Sequence, residues 1–233
     1  MRDLVTLLWE PAEPPRRGPR PTLTLAAIAG AGIAAADADG LAATTMQRVA
    51  ESLGVTKMAL YRYVPGKTEL VALMLDTAVG APPDPVPGAD WRETLDAWAK
   101  ALFTRFREHP WTLEAAVGAR VLGPCELTWL ERAVAALTGT GLHGGEMLDV
   151  AATLSGHVRN LAQQMSAASA PDGLESELGG PMQAVLAGRE DRFPAVTAAL
   201  ASIRTTGGQD QALDFGLARI LDGVGLLIDS RRH

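Results

Sequence analysis

The segment Thr44–Thr68, TTMQRVAESLGVTKMALYRYVPGKT, decides the fold. Met46, Val49, Ala50 and Leu53 recur at i, i+3, i+4 and i+7, the spacing of one buried helix face. Thr45 precedes that face, where its hydroxyl can accept a hydrogen bond from a free first-turn amide. Gly54 follows Leu53, where a helix stop calls for positive φ. Thr56 then caps a second short helix that turns Leu60 and Val64 inward and leaves Lys57, Met58, Tyr61 and Arg62 outward. An exposed short helix carrying Lys, Arg and Tyr, braced by a capped partner, is what a reader of the DNA major groove requires. Capped helix pairs also occur in all-α proteins that touch no DNA, so charge is the second criterion. From Thr44 to Glu69, Arg48, Lys57, Arg62 and Lys67 stand against Glu51 and Glu69, a net of +2 in a chain whose total is −6. Base concentrated on one element is the electrostatic footprint of phosphate contact.

Outward from this segment, composition bounds the rest. The 233 residues suffice for a substantial core in one domain or two small ones. Alanine and leucine dominate, aromatics are 5%, and β-branched runs are scarce, which favours helix nearly throughout. Residues 1–80 carry eight basic and eight acidic side chains; residues 81–233 carry 13 and 19, so the whole −6 lies in the C-terminal part, which should stay off phosphate. The single cysteine, Cys125, excludes an internal disulfide and a multi-cysteine metal site, and reads as a small apolar residue near a helix start. No apolar run is expected to reach the ~18 residues of a membrane span. Met1–Trp9 contains an acid and lacks the apolar core of a signal peptide, so a cytoplasmic protein without membrane contact is expected.

Residues 1–21 contain PAEPPRRGPRP, and read as a disordered basic arm in which Arg16, Arg17 and Arg20 add weak phosphate or minor-groove contacts. A first helix is expected over Thr24–Ala38, with Leu25, Ile28, Ala29 and Ile33 inward, and a further one from near Gly66 to about Val79. The four prolines of PPDPVPG at 82–88 separate residues 22–80, the DNA-binding unit with its connecting helix, from residues 81–233. The second part reads as Trp91–Glu108, a short helix near Trp111–Val117, Pro124 to about Leu137, Gly145 to about Ala168, helices near 177–187 and 194–203, and Gln209–Asp229. The last of these is apolar around much of its circumference, with Leu213, Leu217, Leu221 and Val224 on one stripe. That pattern suggests burial on more than one side, and hence a subunit interface.

The run from about Leu23 to Leu75 resembles the N-terminal domain of the tetracycline-repressor (TetR) family. The likeness rests on the alanine-rich first helix ending in DADGL, then TTMQRVAESLGV, then KMALYRYVPGKTEL. More loosely, HPW, LGP, a WLE helix, GTGL, SGHVRN and FGLARILDG follow in the order of the family's tetracycline-repressor subclass of C-terminal domains. The resemblance implies an all-α homodimer on a palindromic operator in double-stranded DNA. Each N-terminal three-helix unit would place one recognition helix in a half-site. The larger C-terminal domain would hold a small-molecule effector and the dimer core, formed by the long helix and the last helix.

At the DNA end, Thr45 can present its hydroxyl and neighbouring amides to a phosphate. Lys57 and Met58 open the helix that reaches base edges, and Met58 suits a thymine methyl. By resemblance, Gln47 stands where many relatives carry a base-reading arginine; glutamine favours adenine where arginine favours guanine. Tyr61, Tyr63 and Lys67 match positions that hold the phosphate backbone, with Arg48 and Arg62 adding charge. Tyr61 and Tyr63 also read as ordinary packing residues.

At the effector end, Trp98, Leu102, Phe106, Trp111 and Trp129 lie on the helices that surround the family's pocket, although each also reads as plain core. His157 and Gln164 share a face at i, i+7 and can orient a ligand's polar groups or serve the dimer interface. In the tetracycline repressor a histidine before LG binds the drug's magnesium and an asparagine meets the drug. The matching positions here are Val121 and Trp98. These departures from the family pattern imply no metal, no cofactor, and an effector larger and more apolar than magnesium-tetracycline. An enzyme is not expected: paired carboxylates in an apolar pocket, HExxH and a phosphate-binding glycine loop are lacking, and the four histidines have no metal-ligand spacing. The expected function is a ligand-responsive transcriptional repressor. A corepressor-dependent regulator, an activator, or a helical interaction protein without DNA binding are the alternatives.

Overall fold

The computed structural model describes residues 3–10, 23–167, 180, 182–206 and 211–231. These residues are helical, with turns and extended connections and no strand. The helices are α1 Leu4–Trp9, α2 Leu25–Ala43, α3 Met46–Ser52, α4 Lys57–Tyr61, α5 Lys67–Val79, α6 Trp91–Glu108, α7 Thr112–Ala115, α8 Pro124–Ala136 and α9 Gly144–Ala167. A helical stretch at 182–186 and a 3₁₀ turn Glu190–Arg192 lead to α10 Pro194–Thr206 and α11 Ala212–Arg231. Part of the expected helix near 177–187 lies outside the described residues.

The N-terminal unit forms as its caps direct. Thr24, Thr45 and Thr56 each accept the third amide of the helix they precede, from Ala27, Arg48 and Ala59 at 3.1–3.2 Å. Gly54 holds φ +66° between α3 and α4, a left-handed turn that only glycine adopts without steric cost. α2 packs on α5 and α3, and α3 on α4, burying Ile28, Val49, Ala50, Leu60 and Val64 completely.

α2 corrects one expectation: it is long and apolar enough, by length and composition, to cross a membrane. It nevertheless carries Asp37 and Asp39, and Ile28, Ala29, Gly32 and Ala36 form its buried face within the helical unit.

A second correction concerns the N-terminus. Residues 3–10 are folded and do not form part of a disordered arm. Asp3 caps α1 by accepting the Thr6 amide at 2.7 Å, Leu7 is 2% exposed, and α1 packs on α5. The Trp9 indole N–H donates to the Leu122 carbonyl at 3.0 Å. A six-residue helix is too short to persist alone, so its stability comes from this docking, which local sequence does not reveal. Arg16, Arg17 and Arg20 lie outside the described residues.

The C-terminal part packs α6 between α8, α9 and α11, with α5 entering against α7 and α8. One continuous apolar core runs from Leu7 and Ile28 through Leu70 and Met74 to Trp98, Leu154, Leu221 and Ile228. α5 is therefore central to both parts. Its 13 residues span about 20 Å at 1.5 Å per residue.

Candidate nucleic-acid interface and effector cleft

At the DNA end, the outward set is Thr45 and Gln47 at the start of α3, Lys57, Met58, Tyr61 and Arg62 along α4, and Lys67 at the start of α5. Met58 is 74% exposed, an unusual position for a thioether unless another surface covers it. The Lys57 ammonium lies 5.7 Å from the Tyr61 ring centroid, a cation–π contact that keeps the two together. Lys67 Nζ donates to the Leu41 carbonyl at 3.4 Å. Two more of the expected DNA-contacting groups have side-chain partners: Gln47 donates to Glu51 at 2.6 Å, and Arg48 is paired with Asp39. Tyr63 is half-buried and packs on the core, so the structure places its ring with the packing residues and not with the exposed row.

At the other end, α6, α8 and α9 enclose a cleft of about 380 Å³. Trp98, Leu102, Phe106 and Trp129 line it. The two indoles meet edge to face, with centroids 5.7 Å apart at 66°. The Trp98 N–H donates to the Trp129 carbonyl at 2.9 Å, and the Trp129 N–H to the Gly80 carbonyl at 2.8 Å. Val79 completes the wall, so the C-terminal end of α5 forms part of the cleft. A second cleft of about 500 Å³ lies against the proline segment, and Trp98 and Arg132 line it.

Four expected ligand residues do not line the first cleft. The Trp111 indole donates to Asp37 at 2.7 Å, and His109 Nδ1 lies 2.9 Å from the same oxygen. Together they tie the approach to α7 onto α2. Val121 is half-buried, while its neighbours Arg120 and Leu122 face the cleft. His157 turns to the opposite side of α9, against Gly216 of α11, where an added Cβ would fall 2.2 Å from the ring; its Nε2 is buried with no hydrogen-bond partner among the described residues. Gln164 is half-buried one turn beyond the cleft. At 100° per residue, 157 and 164 cannot share the face that carries Ser155, Gly156 and Arg159.

The expected dimer stripe is also corrected. Leu217, Leu221 and Val224 are buried within the protomer, and Leu213 is half-buried against its core, where α11 packs on α9 and α6. The outward side of α11 instead carries Phe215, 64% exposed, and Leu226, 73% exposed. The strongest apolar stripe of a helix goes to the larger apolar surface available, here the protomer's own core.

Sequence reasoning missed the polar residues that hold the cleft together. α8 begins at Gly123, which has no side chain with which to cap it. Asp76 of α5 supplies the acceptor across the interface, taking the Glu126 amide at 3.0 Å. A Cβ on Gly123 would lie 2.2 Å from the Asp76 carboxyl, so this close approach requires glycine. Burial raises the pKa of Asp76, with the Glu126 charge adding to the shift against the hydrogen bond. Burial, then the neighbouring Asp76 charge, pushes the Cys125 thiol up to about 11, so it is protonated and unreactive at neutral pH. A lone arginine among small residues, Ala151, Ala152, Ser155, Gly156 and Arg159, was the sequence signal for a space beside α9.

The comparisons with known proteins agree with this geometry. Residues 25–74 match the family described as bacterial regulatory proteins, tetR family, and residues 84–227 match the tetracyclin repressor-like C-terminal domain. The HTH-type transcriptional repressor DrrR1 of Streptomyces coeruleorubidus is 36% identical over 236 residues, covering 97% of this chain and 86% of DrrR1. The structure of apo ActR from Streptomyces coelicolor superimposes with a TM-score of 0.74 at 25% identity, covering 91% of this chain and 99% of ActR. ActR in complex with actinorhodin superimposes at 0.70 with 26% identity, covering 88% and 98%. With its capped reader, connecting helix and aromatic cleft in this arrangement, the chain belongs to the TetR family of DNA-binding, ligand-binding transcriptional regulators.

Proposed function

We propose that the chain acts in the cytoplasm as a homodimeric repressor, occupying a palindromic operator and leaving it when a largely apolar, aromatic effector fills the cleft between α6, α8 and α9. The observation that carries this reading is α5. One end places Val79 in the cleft wall and Gly80 under the Trp129 indole; the other places Lys67 beside the reader and on the Leu41 carbonyl. A ligand that displaces Trp129 therefore pulls on the helix that carries α4.

In this reading Lys57, Met58 and Gln47 face base edges, and Thr45, Arg48, Tyr61, Arg62 and Lys67 hold phosphates. Arg48 must exchange Asp39 for a phosphate, and Gln47 must exchange Glu51 for a base, so part of the binding energy goes to breaking contacts within α2 and α3. The dimer would form through the outer sides of α9 and α11, with Phe215 and Leu226 at the contact. Half-sites about one helical turn apart tolerate little change in the separation of two recognition helices. Effector and operator then weaken each other reciprocally, by about 1–3 kcal/mol.

The test is selection of genomic DNA fragments by the full-length protein at roughly physiological salt, which suppresses non-specific binding. Enrichment of a palindrome that aromatic ligands release is expected. No enrichment by a protein shown to be dimeric would overturn the reading.

A further inference from the structure

We infer that the cleft selects planar aromatic ligands bearing an acidic group, and that Arg159 is the residue that recognises that group. This rests on the effector-cleft reading and gives it a ligand class.

Three charged side chains line the cleft: Arg120, Glu126 and Arg159. The first two neutralise each other. Arg120 Nη1 and Nη2 each stand 2.6 Å from one Glu126 carboxylate oxygen, the two-pronged geometry that satisfies both groups. Glu126 also reaches back to the Gly123 amide at 3.4 Å, so its carboxylate is fully engaged. Asp76 lies behind the same wall with its carboxylate directed at the α8 amide, and it does not line the cleft.

Arg159 differs. Among the described residues it has no carboxylate partner. Its Nη2 donates to the Ala116 carbonyl at 2.9 Å, which orients the guanidinium but supplies no counter-charge. Its neighbours on the cleft side of α9, Ala152, Ser155 and Gly156, are too small to cover it. The result is a half-buried positive charge, with free donors, facing a wall of Trp98, Leu102, Phe106 and Trp129.

Each part of that arrangement selects. The two indoles, inclined at 66°, let one flat ring stack on the first and meet the second near its edge. Apolar walls weaken solvent screening, so a charge opposite Arg159 is felt more strongly than at the surface. A guanidinium matches a carboxylate with two parallel hydrogen bonds, which neither a cation nor an uncharged ring can return. A ligand satisfying both ends is an aromatic acid of a size suited to a cleft of about 380 Å³.

The experiment uses the full-length protein and two probes, anthraquinone-2-carboxylate and its uncharged analogue anthraquinone-2-carboxamide, followed by quenching of tryptophan fluorescence. The acid is expected to bind about tenfold or more tightly, equivalent to about 1.4 kcal/mol. Arg159→Leu should erase that preference. Arg159→Gln, which keeps a donor for the Ala116 carbonyl, serves the same purpose should the leucine variant not fold. Arg132→Leu, in the second cleft, should keep the preference. Equal binding of the two probes to the unmodified protein, or a preference that survives loss of the Arg159 charge, would overturn the inference while leaving an aromatic cleft in place. Failure of both probes to bind would overturn the aromatic-effector reading as well.

Discussion

The reader and the cleft solve opposite problems on one chain. At α3 and α4 the functional groups point into solvent, held by caps three residues away and by neighbours such as the Lys57–Tyr61 pair. At the cleft the functional groups point inward, and almost every one is positioned by a residue distant in sequence. Trp129 is held by Gly80, the backbone amide of Glu126 by Asp76 and Arg159 by Ala116. The difference teaches where each end is vulnerable. Damage at the reader is expected to change binding and spare the fold; damage at the cleft is expected to change stability and coupling together. α5 belongs to both, and α1 adds a clamp across it, from the buried Leu7 to the Trp9–Leu122 hydrogen bond at the cleft's rim.

This contrast can be broken experimentally. Reversing charge at the reader, Lys57→Glu with Lys67→Glu, should abolish operator binding, by about hundredfold or more, while the melting temperature and dimer mass stay unchanged; each lost phosphate contact lowers the salt slope of any residual binding by about 1. An unfolded or monomeric product would break the separation of function from fold.

Leu7→Ala should cost about 2–5 kcal/mol of stability, measured by urea unfolding, because it empties a buried site under α1. A cost below about 0.5 kcal/mol, the range of ordinary surface substitutions, would mean that α1 is not a structural part of the core. Asp76→Ala should cost about 1–3 kcal/mol by leaving the Glu126 amide without its acceptor.

Asp76→Asn sharpens the same point through pH. A carboxyl whose folded pKa is raised binds its proton more tightly in the folded state. Stability gained from that proton is therefore complete below the unfolded value near 3.8 and is lost as pH rises through the raised folded pKa. Wild-type stability should fall relative to Asp76→Asn across that window, and parallel pH profiles would show that Asp76 is not desolvated.

Trp129→Phe keeps a ring in the cleft and removes the bond to Gly80. It should cost about 1 kcal/mol and reduce the factor by which ligand weakens DNA binding. An unchanged coupling factor would take Trp129 out of the path between the two ends.

The reader was legible because its geometry is local. Thr45, Gly54, Thr56, Leu60 and Val64 each occupy a position dictated within one or two helical turns, and the structure places them accordingly. Most of the C-terminal helices among the described residues were legible in extent for the same reason, since their prolines, glycines and apolar periods are punctuation along the chain. Their faces were not. The Leu213–Val224 stripe was apolar enough for a subunit contact, and the protomer core took it. His157 and Gln164 share a face, as their spacing indicates, but that face of α9 does not line the first cleft. Val121 was named where Arg120 and Leu122 reach the cleft.

The sequence by itself therefore determined most of the helices after α1, the caps of the reader, its exposed row and the aromatic character of the second part, because backbone hydrogen bonding and side-chain period act over a few residues. Only the tertiary structure decided which aromatic rings meet, that Asp76 caps a helix lacking its own cap, that α1 docks, and that Arg159 stands in the cleft without a counter-charge. These depend on which surfaces the chain brings together across tens of residues, and burial free energy rewards apolar area without specifying its partner.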